Sequence, residues 1–79
     1  MDWLQDSASR SAVDLLREYA EESLITQTEL AHRTGIDQSR ISRVFAHRAI
    51  LSLPHFIALC AAMHLSPAAV IAEAMKARD

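Results

Sequence analysis

The sequence predicts a single all-α domain, a compact five-helix bundle. Fourteen of its 79 residues are alanine and only 5% are aromatic, a composition that favours helix over sheet. No segment alternates apolar and polar residues with period two, so we expect no strands. A repeated helix-start signal is the third observation.

This start signal occurs four times. Each time a polar residue follows one apolar residue and precedes another by four places, at Thr26, Asp37, Ser52 and Ser66. Such a polar side chain accepts a backbone N–H at the helix start, while the apolar pair fixes the entry angle. The pattern therefore predicts a helix after each of the four residues.

The predicted helices cover about residues 8–22, 27–34, 38–46, 53–63 and 67–77, after an N-terminal extension at 1–7. In the first helix, Val13, Leu16 and Ala20 form an apolar stripe. Gly35, the only glycine, suits a left-handed helix end. The core is also expected to include Cys60, on a stripe with Phe56 and Met63.

The second and third helices form a helix-turn-helix, because only residues 35–37 join them. Four apolar residues are expected to hold the two helices together: Leu30, Ile36, Ile41 and Val44. The other face of the third helix carries four residues that can hydrogen-bond to base edges: Gln38, Ser39, Ser42 and Arg43.

The runs Leu24–Ala31 and Gly35–Val44 resemble the helix-turn-helix of the Cro/C1-type (XRE-like) transcriptional regulators. The resemblance covers about residues 12–75. It implies a lambda-repressor-like DNA-binding fold, a homodimer and a double-stranded DNA operator with inverted-repeat half-sites. A repressor is the expected role, in a Cro protein, a compact phage regulator or a restriction-modification controller.

The resemblance also implies roles for individual residues. Gln38, Ser39 and Arg43 match the positions at which the family usually contacts bases. Ser42 is added as a candidate base contact because it lies on the same face of the third helix. Phosphate contacts are expected at Gln27, Arg40 and Arg48, and Arg33 is added because it lies on the exposed face of the same unit. The chain departs from the family pattern at Thr34, where an apolar residue is usual, and at His47 and His64, where helices often end with Gly. Trp3 and Leu4 lie in the unexplained extension.

The net charge of −2 argues against a generic nucleic-acid binder, but its distribution does not. Residues 32–48 contain four Arg and one Asp, a net charge of +3, between an acidic first part of −5 and a neutral last part. The basic segment coincides with the predicted helix-turn-helix.

Residues 49–72 contain no Asp, Glu, Lys or Arg. This length could span a bilayer, but two Pro and two His interrupt it, so we expect a cytoplasmic protein without a membrane segment. The apolar surplus either packs under the first helix and Trp3 or is covered by a second subunit. The candidate dimer residues are Leu65, Val70, Ile71, Ala74 and Met75.

Other function classes lack support in the sequence. No nucleophile–base set and no Gly-rich phosphate loop can be found, so no enzyme, small-molecule substrate or cofactor is expected. The four His have no zinc-like spacing, so no metal is expected. One cysteine suits a reducing compartment. The alternative is a protein-interaction module, such as an antitoxin-like or anti-repressor subunit that binds a protein partner through residues 49–75.

Overall fold

Five α-helices occupy most of residues 6–77, the part of the chain that this computed structural model describes. They are α1 Ser7–Glu22, α2 Gln27–Thr34, α3 Gln38–Phe45, α4 Leu53–Ala62 and α5 Pro67–Ala77. No strand occurs within residues 6–77, and the predicted all-α class is confirmed. Each observed helix end lies within one residue of its predicted position. Trp3 and Leu4 lie outside the described residues.

Side-chain caps begin most of the helices. Thr26, Ser52 and Ser66 each accept the backbone N–H three residues later, at 3.0, 3.3 and 3.2 Å. Asp6 does the same for α1, with Ser9 N at 2.9 Å, although the sequence pattern did not single it out. These bonds satisfy N–H groups that have no partner inside the helix.

The predicted cap at Asp37 is wrong. Its side chain makes no capping bond to the start of α3. The carboxylate instead accepts a hydrogen bond from the hydroxyl of Ser39. Because Ser39 supplies a nearby O–H donor, it takes the oxygen that would otherwise have capped the helix.

The core brings all five helices together. Leu16, Leu30, Ile41 and Leu59 are each at most 1% exposed. Helix α1 packs against α3 and α5, and α2 packs against α3 and α4. The other predicted core residues are also buried: Val13, Ala20, Ile36, Val44, Phe56, Cys60 and Met63.

Within residues 6–77, four helices end in left-handed backbone, and glycine occupies only one of these positions. Gly35 has φ 76° after α2, as predicted. Leu24, His47 and His64 have φ 59°, 60° and 58° after α1, α3 and α4. After each of these three, the next N–H bonds back to a carbonyl five residues earlier, at 2.7–2.8 Å. This is the Schellman arrangement, which satisfies helix-end carbonyls at the cost of a strained non-glycine residue.

Within the described residues, no single helix is long and apolar enough to cross a membrane. Two helical segments, Leu53–Ala62 and Pro67–Lys76, would together be long and apolar enough, but the chain bends by 108° between them. Leu59, Cys60 and Val70 from this pair are buried in the common core.

Candidate nucleic-acid interface

Helix α3 is held against the domain by one apolar face. Ile41, Val44 and Phe45 are 1–3% exposed and point into the core. The turn before α3 is fixed by Thr34, whose hydroxyl donates to the Leu30 carbonyl at 2.7 Å and accepts the Ile36 N–H at 3.1 Å. Thr34 therefore uses its hydroxyl to order the turn where an apolar side chain is usual.

The opposite face of α3 is exposed and has no acidic residue within the helix itself, although Asp37, just before α3, accepts a hydrogen bond from Ser39 on this face. This face contains Gln38, Ser39, Ser42 and Arg43, the four predicted base-contact residues. Arg43 Nε donates to the Ser39 carbonyl at 3.3 Å, so its guanidinium lies back along this face. The geometry thus groups amide, hydroxyl and guanidinium donors on one helix face, which is the chemistry that can read base edges in the major groove.

Two further cations flank this face. Arg40 is half-buried within α3, and Arg48 is exposed three residues after the helix ends. Gln27 is half-buried at the first position of α2. No hydrogen bond or ion pair joins these three side chains to other described residues, so their donors are not committed to partners within residues 6–77.

Arg33 has a structural role in the folded chain. Its guanidinium Nη1 donates to the Ala62 carbonyl at 3.0 Å, and its Nε lies 3.5 Å from Glu29 Oε2. The first contact joins α2 to the end of α4 and satisfies a helix-end carbonyl. Its predicted phosphate contact would have to compete with this bond.

A polar cluster that was not predicted from the sequence joins α1 to the end of α3. Arg17 Nη1 donates to the Phe45 carbonyl at 2.9 Å, and Arg17 Nη2 lies 2.9 Å from Asp14 Oδ1. The same carboxylate oxygen lies 2.8 Å from His47 Nε2. Only the three-residue spacing of Asp14 and Arg17 is visible in the sequence, and it does not reveal the partners about 30 residues away.

An apolar groove lies beside the interface. It has a volume of about 310 Å³ and is lined by residues of α1, α4, α5 and the loop after α3. Four exposed apolar side chains line it, at 46–69% exposure: Ile50, Leu53, Ile71 and Met75. The clustering of these side chains in a single groove marks a candidate interaction surface.

The structure narrows the predicted dimer residues. Val70 and Ala74 are 8% and 1% exposed because they pack in the chain's own core, so they offer a partner little surface. Leu65 is half-buried, while Ile71 and Met75 are about half exposed. Of the five predicted residues, Ile71 and Met75 are therefore the most exposed to a partner.

No candidate metal site is present among residues 6–77. They contain no group of three His, Cys, Asp or Glu that could hold a metal ion. Cys60 is fully buried, and burial raises the pKa of its thiol above the usual 9.0. Such a thiol behaves as a small apolar side chain rather than as a nucleophile.

Taken together, the fold and the exposed face of α3 define a helix-turn-helix DNA-binding domain. A family model described as helix-turn-helix matches residues 16–70, so the chain belongs to the Cro/C1-type (XRE-like) helix-turn-helix family. This confirms the resemblance and the lambda-repressor-like fold class. Searches of curated proteins and of solved structures found no match.

Proposed function

We propose that this DNA-binding regulator reads a specific operator by placing α3 in the major groove of double-stranded DNA. The exposed face of α3, which has no acidic residue within the helix, carries the proposal, since the opposite face packs into the core. Gln38, Ser39, Ser42 and Arg43 make the base contacts. The chain acts by binding alone, without catalysis or a cofactor, in the cytoplasm of a bacterial or phage-infected cell.

Affinity comes from phosphate contacts around this face. Arg48 and Arg40 supply the charge, and Gln27 supplies a neutral donor at the start of α2. Arg33 adds a phosphate contact only if its guanidinium gives up the hydrogen bond to the Ala62 carbonyl. Because the whole chain has a net charge of −2, we expect weak non-specific binding to DNA. Base contacts should then supply a correspondingly larger share of the binding free energy.

The first experiment is enrichment of bound duplexes from a randomised DNA library by the wild-type chain. We expect a defined site with two inverted half-sites about one helical turn apart. Binding of an enriched duplex is then measured against salt concentration for wild type and Arg48→Ala. Removal of one phosphate contact should lower the slope of log K against log salt by about 1.

A matched control is Lys76→Ala on α5. It removes the same charge, but Lys76 pairs with Glu73 at 3.3 Å on a helix that does not adjoin α3 in the chain. The control should keep the wild-type slope. Equal slopes for Arg48→Ala and wild type would contradict the phosphate contact, and failure to enrich any duplex would contradict the proposed function itself.

We further propose that the operator is bound by a homodimer. Ile50 and Leu53 meet Ile71 and Met75 around the apolar groove, and no Asp, Glu, Lys or Arg lies between residues 49 and 72. A second copy can therefore cover the part of this surface formed by residues 49–72 without desolvating a charge, and Arg10 of α1 is the charged residue that also lines the groove. Ile50 lies five residues beyond the end of α3, which brings this interface close to the recognition helix.

Sedimentation of the free protein tests the dimer, with Ile71→Glu as the disrupting variant. The wild type should sediment as a dimer at tens of micromolar, and the variant as a monomer. Thr28→Glu is the control, because Thr28 is an exposed residue of α2 that the groove does not include. A wild-type monomer that also fails to bind DNA would favour the alternative function, a module that uses the groove to hold another protein.

Repression follows if the operator overlaps a promoter, because a bound domain blocks the polymerase. The enriched site placed across a promoter should lower expression of a reporter gene when the chain is present. Increased expression in that arrangement would contradict the repressor role while leaving DNA binding intact.

A further inference from the structure

The polar cluster of Asp14, Arg17 and His47 connects the C-terminal end of α3 to α1. Phe45 is the last residue of α3, and its carbonyl has no acceptor role within the helix ladder. Arg17 donates to this carbonyl at 2.9 Å while its other terminal nitrogen contacts Asp14. Because an ionised carboxylate can only accept, the proton of the 2.8 Å contact belongs to His47 Nε2.

The backbone conformation of His47 sets the direction in which the chain continues from α3 to Arg48. His47 has φ 60°, and its N–H donates to the Val44 carbonyl at 3.0 Å. The next N–H, of Arg48, donates to the Arg43 carbonyl at 2.7 Å. The left-handed turn therefore ties the predicted phosphate contact at Arg48 directly to the predicted base contact at Arg43.

A comparison within the chain distinguishes His47 from the other strained helix ends. Leu24 and His64 have the same left-handed backbone, but both are exposed and neither side chain makes a hydrogen bond to another described residue. The His47 side chain is only 15% exposed and is anchored to α1 through Asp14. A cap needed only to end a helix would not need this anchor.

We propose that Asp14 and Arg17 are positioning residues for DNA recognition. They hold Phe45 and His47 and so fix the direction of Arg48 relative to the exposed face of α3. The cluster does not itself attract DNA, since the charges of Asp14 and Arg17 offset each other. The inference rests on the proposed function, because it assigns these residues a task only if α3 and Arg48 contact DNA.

Replacement of each strained histidine by glycine provides a matched test. His47→Gly and His64→Gly both relieve left-handed strain, but only the first removes a contact with Asp14. The probe is a labelled duplex enriched by the wild-type chain, with an unrelated duplex of equal length as the reference. Fluorescence anisotropy gives the Kd of each variant, and thermal melting confirms that each is folded at the assay temperature.

His64→Gly should keep the Kd for the enriched duplex within about two-fold of wild type. His47→Gly should raise it about five-fold or more, because Arg48 loses its fixed direction. Equal Kd values for the two variants would overturn the proposal. If the wild type enriches no duplex, the proposed function fails before this question arises, so the two failures can be told apart.

A double-mutant cycle tests the route through Arg48. If His47 acts by positioning Arg48, then His47→Gly should change Kd by less than about two-fold in an Arg48→Ala background. Arg17→Met, which keeps side-chain length but loses both donors, should behave in the same way. Full additivity with Arg48→Ala would show that the cluster supports the fold generally and would overturn the positioning role.

Discussion

Leu24 is an exposed apolar residue in a strained backbone conformation. It follows α1 with φ 59°, and its side chain is 88% exposed. The backbone around it is well bonded: its own N–H donates to Glu21 O at 3.2 Å, and the next N–H donates to Ala20 O at 2.8 Å. Leu24→Gly should therefore relieve strain without loss of packing or of these bonds.

The expected gain can be worked from these observations. Left-handed backbone costs a residue with a Cβ about 1–2 kcal/mol. Glycine offsets about 0.5–1 kcal/mol of this gain, because it gives the unfolded chain more conformational freedom to lose on folding. An 88% exposed side chain adds almost nothing to the balance. The net stabilisation is about 1 kcal/mol, which raises the Tm by roughly 4–8 °C in a domain of this size.

Thermal and urea unfolding, followed by circular dichroism, measure this change. Leu24→Ala is the control: it removes the exposed side chain but keeps the Cβ and the strain, so its stability should match wild type. If Leu24→Gly is no more stable than Leu24→Ala, the left-handed strain is not what limits stability at this helix end, and the reasoning is refuted.

Two further predictions concern stability. Thr26→Ala should cost about 1 kcal/mol because it removes a 3.0 Å cap, whereas Asp37→Ala, which removes no capping bond, should cost less in the same urea titration. Equal losses would contradict the cap assignment. Burial raises the pKa of Cys60 above 9.0, so the folded state favours the neutral thiol. The contribution of this thiol to the free energy of unfolding should therefore be complete below pH 9 and decrease as the pH rises further. The free energy of unfolding of Cys60→Ala should decrease less over the same pH range. An identical alkaline fall in Cys60→Ala would contradict the role of the thiol.

The local elements of this fold were predictable because their signals are local. Caps and apolar periodicity act within one or two helical turns, so α2 at Gln27–Thr34 and α5 at Pro67–Ala77 match their predicted limits. The apolar residues of the helix-turn-helix are buried as expected. The predicted cap at Asp37 failed because the choice between two nearby donors depends on side-chain geometry, which spacing does not determine.

Longer-range contacts could not be predicted in this way. Val70 and Ile71 are neighbours of similar character, yet only the packing of α5 decides that the first is 8% exposed and the second 46%. Likewise, the sequence does not distinguish Arg33 from Arg40 and Arg48, and only the fold places Arg33 beside the Ala62 carbonyl. The proposed base contacts on α3 remain predictions that rest on exposure and chemistry.

The most direct test of sequence reading by α3 is the base preference of Arg43→Ala. Binding of wild type, Arg43→Ala and the Lys76→Ala control is measured on an enriched duplex and on all its single-base-pair variants. We predict that Arg43→Ala weakens the enriched duplex by about 1–3 kcal/mol and loses discrimination at one base pair in each half-site, while the control keeps the wild-type pattern. An unchanged pattern of preferences in Arg43→Ala would contradict the assignment of α3 as the reading helix.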